Sequence, residues 1–186
     1  MSSRQTVLRS FHDLGLFAWF GSGLMGTVGL NGGAAKAKDP AERLWIASIG
    51  WAKFQPVLYG AVLLHAVGGL GLIAGNKGRL AVQPEARTNT AVKAALELLA
   101  GAVTVYSTVQ GGRVLAHADE GAQGVTEPDA GSSPQLASAQ RQLKLMQSVL
   151  PMITGTLIVL AAQQGEQQRP VAGFFQRSFG VLRKTK

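Results

Sequence analysis

The sequence predicts an all-α fold: an integral membrane four-helix bundle with a short interfacial helix at its C-terminal end. The first observation behind it is where the charges fall. Four windows, 14–35, 54–76, 94–112 and 145–165, make up 85 of the 186 residues and hold one formal charge, Glu97. The other 27 Lys, Arg, Asp and Glu crowd into the remaining 101 residues. The second observation is length. Each window has about 20 residues, and at about 1.5 Å per residue that matches the roughly 30 Å of a bilayer's hydrocarbon core. The third is the pattern of small residues, which recur at intervals of three and four in every window. Helices of a soluble bundle keep a charged face, and these windows have none.

The first window follows Arg4 and Arg9, and Ala35-Lys36-Ala37 has the small-x-small form of a leader cleavage site. Its 22 uncharged residues exceed the roughly 7 to 15 of a signal-peptide core, so it is read as a retained span. Gly15, Ala18, Ser22, Gly26, Gly29 and Gly33 draw one seam along it. Lipid tails are as apolar as leucine, so helices in a bilayer associate through such close-packing seams and through interhelical hydrogen bonds.

Residues 40–55 carry Trp45 and Trp51, ring systems suited to the headgroup interface, and Pro56 fits the first turn of the second span. That span places Ala61, His65 and Gly68 on one stripe, with Gly71 and Gly75 as a GxxxG pair beside it. The third gives Ala94, Glu97, Gly101, Thr104, Thr108 and Gly111. Residues 117–140, rich in Gly, Ser, Pro and acids, read as a flexible extracytoplasmic loop. In the fourth span Ser148, Pro151, Gly155, Val159 and Ala162 share a face, and Pro151 bends the helix. The tail 166–186 sets Phe174, Phe175 and Phe179 against Arg177, Arg183 and Lys184, the pattern of an amphipathic helix lying on anionic lipid.

Eleven Lys and Arg lie on the side of the N-terminus and seven on the other, which puts both termini in the cytoplasm. The Asn31-Gly32-Gly33 and Gln110-Gly111-Gly112 triplets, with Gln55-Pro56-Val57-Leu58 and Gln147-Ser148-Val149-Leu150, form a short internal echo. Zero cysteines exclude disulfides, thiolate metal sites and iron–sulfur clusters. The net charge of +8 flanks apolar windows rather than forming a basic domain, which argues against nucleic acid as a partner.

Two residues break the apolar composition. An ionisable group inside a span is a functional candidate by default, and Glu97 is one, with Lys93 a turn away as an ion-pair partner. His65 sits mid-span beside Ala61 and Gly68 and so points at another helix. Counted from the window ends, His65 and Glu97 differ in depth by roughly 9 Å, a gap for water or a Thr hydroxyl such as Thr104 to bridge. His12 and His117 fall at window ends, so neither is at the depth of His65 for a two-histidine haem. No metal-spaced cluster, phosphate loop or nucleophile elbow is present, so no catalytic residue, metal or cofactor is assigned.

The runs HDLGLFAWFGSGLMGTVGLNGGAA, GWAKFQPVLYGAVLLHAVGGLGLIAGNKGR and ITGTLIVLAAQQGEQQRP resemble a group of small four-span membrane proteins of high-GC Gram-positive bacteria. The resemblance implies a bacterial plasma membrane and no particular activity. The sequence therefore points to a non-enzymatic membrane protein that packs with itself or with a larger membrane complex. The alternatives are a small proton- or cation-coupled carrier using Glu97 and His65, or a haem- or quinone-binding anchor.

Overall fold

A computed structural model describes residues 3–167. The interfacial helix expected in the tail falls almost entirely outside the described residues. Within them the chain is helical and contains no strand. Helix α1 (Ser3–Leu24) runs through a π-helical turn (Met25–Leu30) into α2 (Asn31–Ala34). Then come α3 (Pro40–Gly75), a short α4 (Lys77–Val82), α5 (Pro84–Ala116), a 3-10 turn (Ala118–Glu120) and α6 (Pro134–Gln167).

Local chemistry sets these boundaries. Asp39 caps α3, its carboxylate accepting from the Ala41 amide at 2.8 Å, and Pro40 occupies the first turn, where a missing N–H costs nothing. Pro84 opens α5 in the same way. Ser133 opens α6, its hydroxyl accepting from the Leu136 amide at 3.2 Å. All three long helices overrun the apolar windows. Pro56, expected at the start of a span, lies inside α3. The apolar window marks where charge stops, whereas the helix continues to its cap at Asp39.

By length and composition α3, α5 and α6 can each cross a membrane. Much of their apolar surface faces outward: Leu63, Leu70, Leu98 and Met152 are all more than 60% exposed. Inside, α1 packs most extensively on α3 and α5 on α6. The main core joins Leu16 and Trp19 of α1, Leu58 of α3, Ala100 and Val103 of α5, and Leu150, Ile153 and Leu157 of α6.

The expected flexible loop at 117–140 is corrected. Ala118, Ala122, Val125, Leu136 and Ala139 are buried, most of them in a second core with Leu44, Val114 and Leu143. Arg43 fastens the segment, donating from its guanidinium to the carbonyls of Ala122 (3.1 Å) and Gln123 (3.0 Å), and from Nε to Ala37 (2.8 Å). Gln140 donates to the carbonyls of Gly124 (2.9 Å) and Val125 (3.1 Å). Polar composition hid a few small apolar residues, spaced to fit between helix ends, and side chains able to satisfy the loop's carbonyls.

Candidate functional site

The site begins with a close helix crossing. A Cβ on Gly15 would lie 2.5 Å from the His65 amide nitrogen and 2.6 Å from the Ala61 carbonyl. One on Gly68 would lie 2.4 Å from the His12 amide nitrogen and 2.7 Å from the Leu8 carbonyl. Helices α1 and α3 therefore meet backbone to backbone, antiparallel, and only glycine fits at these two positions.

That contact brings His12 and His65 together. Their ring centroids are 4.2 Å apart. His65 Nδ1 lies 2.8 Å from the His12 carbonyl oxygen. A carbonyl oxygen only accepts, so Nδ1 carries the hydrogen and the lone pair of a neutral ring is on Nε2. His12 Nδ1 lies 3.1 Å from Asp13 Oδ1, a carboxylate oxygen that likewise accepts, so on a neutral ring the His12 lone pair is also on Nε2. Both Nε2 atoms face Glu97 of α5, with Oε1 at 3.3 Å from His65 and 3.8 Å from His12. The three ligand atoms all lie within 4.8 Å of one another.

His65 Nε2 is buried and makes no hydrogen bond among the described residues. At 3.3 Å it is close to the carboxylate but out of line for an N–H···O bond. The histidine side chains are 3% and 9% exposed and that of Glu97 is 30% exposed, so the site is accessible from the carboxylate side. Lys93, a turn from Glu97, interacts electrostatically with Glu97, Asp13 and Arg9.

The expected 9 Å gap between His65 and Glu97 does not exist, and the placing of His12 at a different depth is corrected with it. Helix ends, not window ends, set depth. His12 is nine residues into α1, His65 ten from the end of α3 and Glu97 thirteen into α5, or about 13, 15 and 20 Å along their helices. The sequence did carry one signal, the His12-Asp13 pair three residues ahead of Gly15, which continues the seam toward the N-terminus. Two rings only 4.2 Å apart leave no room for a porphyrin between them, which removes a haem ligated by both.

Thr104 lies outside the cluster. It accepts from Trp19 Nε1 at 3.0 Å and donates to the Ala100 carbonyl at 2.9 Å. Trp19 and His65 in turn meet edge to face, with 6.1 Å between ring centroids. A second polar group, Asn31, donates to Gln147 at 2.8 Å and accepts from Trp51 at 2.9 Å. Between the two groups lies a cleft of about 250 Å³, lined by residues including Thr27, Trp51, Gln55, Thr104 and Thr108.

The remaining seam positions divide. A Cβ on Gly26 would strike the Trp51 ring and one on Gly71 the Leu8 side chain, while Gly155 meets Phe20 at 3.3 Å. Ser22 is buried and donates to the Ala18 carbonyl. Gly75 makes an ordinary contact with Gln5, and Gly29 meets only Met25 of its own π-turn. Gly33 and Gly101 have nothing within 4 Å among the described residues, so their place in a seam within these is corrected. No family of proteins, no curated protein and no solved structure matches the chain.

Proposed function

We propose that the chain is a four-span membrane protein, with both termini on one side of the bilayer, that holds a cation between α1, α3 and α5 and carries it as a small cation-coupled transporter. In this reading the rod from Ser3 to Ala34 is the fourth span beside α3, α5 and α6. One observation carries it: the buried His65 Nε2, which holds the lone pair when the ring is neutral and donates from Nδ1, lies 3.3 Å from a carboxylate oxygen. Two electron-rich atoms at that separation in a low-dielectric interior repel unless a positive charge lies between them. Intramembrane carboxylates and histidines commonly mark such ion paths.

Reconstitution in liposomes tests this reading. Imposed gradients of protons, alkali cations or divalent cations should drive flux that Glu97→Gln lowers at least tenfold. Absence of flux under all of these gradients contradicts carriage.

A second reading, an accessory subunit or self-packing bundle, is favoured by one feature. Among the described residues nothing lies near Gly60 or Gly101, leaving small-residue surface for another helix.

A further inference from the structure

We propose that the cation is a divalent first-row transition metal ion of the zinc or ferrous type, bound by His12 Nε2, His65 Nε2 and Glu97 Oε1 with at least one coordination position left open. This rests on the cation-site reading above and gives it a chemistry.

Two imidazoles and one carboxylate are a donor set for such ions, whereas the hard ions magnesium and calcium take oxygen donors. The spacing fits. Around a tetrahedral zinc with bonds of about 2.0–2.1 Å, neighbouring ligand atoms lie roughly 3.3 Å apart. The His65–Glu97 separation is already 3.3 Å, that of His12 to Glu97 is 3.8 Å, and no pair among the three exceeds 4.8 Å. Small side-chain rotations close the remainder.

The surroundings of the donors fit as well. A histidine that ligates a metal donates its other ring N–H to a carbonyl or carboxylate, which fixes the ring and raises its basicity. Both arrangements occur here, with the His12 carbonyl serving His65 and Asp13 serving His12. The Gly15 and Gly68 crossing holds the rings to this geometry from the backbone. Buried polar atoms normally have a bonding partner, and His65 Nε2, 3.3 Å from a carboxylate oxygen without a hydrogen bond to it, is one that a bound ion would satisfy. Three protein ligands rather than four, with Glu97 partly exposed, describe a site that can take up and release its ion or bind a further ligand on it.

The test uses the full-length protein, purified in mild detergent, stripped with chelator and titrated with Co²⁺ as a spectroscopic probe and Zn²⁺ as competitor. The expected result is one equivalent of cobalt with the visible bands of a four- or five-coordinate site, displaced by zinc. His65→Asn keeps a donor for the His12 carbonyl but lacks Nε2, and it should weaken cobalt binding at least 100-fold, as should Glu97→Gln. Asp13→Asn should weaken it about 10- to 100-fold with an altered spectrum, because that carboxylate orients His12 without touching the ion. Circular dichroism of each variant identifies any that fail to fold, and His12→Gln then serves as the alternative ligand variant. Lack of cobalt binding by the unaltered protein overturns the proposal, and so does binding that survives the ligand substitutions. If metal binding fails while Glu97-dependent proton flux persists, a proton fills the site and the cation reading stands without the metal.

Discussion

The His65 ring donates from Nδ1 to the main-chain carbonyl of His12, 2.8 Å away on the neighbouring helix. This bond both ties α1 to α3 and decides which nitrogen faces Glu97. Replacement by Asn, which can reproduce the donor, should leave the thermal stability of the detergent-solubilised protein nearly unchanged. His65→Ala should cost about 2–4 kcal/mol, from the lost buried bond and the cavity. Melting curves of the two variants side by side give the answer.

The glycine crossing allows a sharper contrast. Gly15→Ala and Gly68→Ala each place a methyl group about 2.5 Å from the partner backbone, which cannot yield as a side chain can. Each substitution should cost about 1–3 kcal/mol and should also displace the site, because the same contact positions both imidazoles. Gly101→Ala, with open space around it, should be neutral or slightly stabilising within a helix. Chemical denaturation in micelles measures all three, and equal effects at Gly15 and Gly101 would refute the crossing.

The Asn31–Gln147 bond, at 2.8 Å, ties the π-turn's end to α6. Interhelical hydrogen bonds in membranes average about 0.6 kcal/mol and reach about 1.7 kcal/mol. A double-mutant cycle with Asn31→Ala and Gln147→Ala should give a coupling in that range. A coupling of zero would remove the bond from the account.

Glu127 gives a pH dependence outside the long apolar helices. Its partial burial favours the neutral form, but Lys144 at 3.1 Å and Thr126 at 2.9 Å outweigh that and hold its carboxyl below the usual carboxylate range. A lowered folded-state pKa adds stability above the unfolded-state value of about 4.3, and that stability is lost as pH falls through the lower folded value. Because the pair is largely exposed, the effect is at most about 1 kcal/mol. Proteolysis of the 117–133 segment should therefore quicken below about pH 4, and Glu127→Gln should make the rate less dependent on pH in this range.

How much of this was legible in the sequence differs between fold and site. Charge placement located the apolar parts of the helices, because taking a charge out of water is costly whatever the tertiary contacts. It could not locate the helix ends, which depend on caps such as Asp39 and on polar turns that helices tolerate beyond the apolar core. The depth of His12 was lost with those ends. Glu97 and His65 stood out as exceptions to composition, whereas their contact needed the antiparallel register of α1 on α3, set by Gly15 and Gly68 together. The internal echo had singled out Asn31 and Gln147, but the bond between them is a tertiary fact that no spacing encodes.

The most direct test of the central claim is ¹⁵N NMR of histidine-labelled protein in lipid, recorded before and after one equivalent of Zn²⁺. The account predicts that Nδ1 of His12 and His65 carries hydrogen in both states, and that the Nε2 resonances of both rings move together on zinc addition. An Nδ1 without hydrogen on His65, or Nε2 resonances that do not respond to zinc, would contradict it.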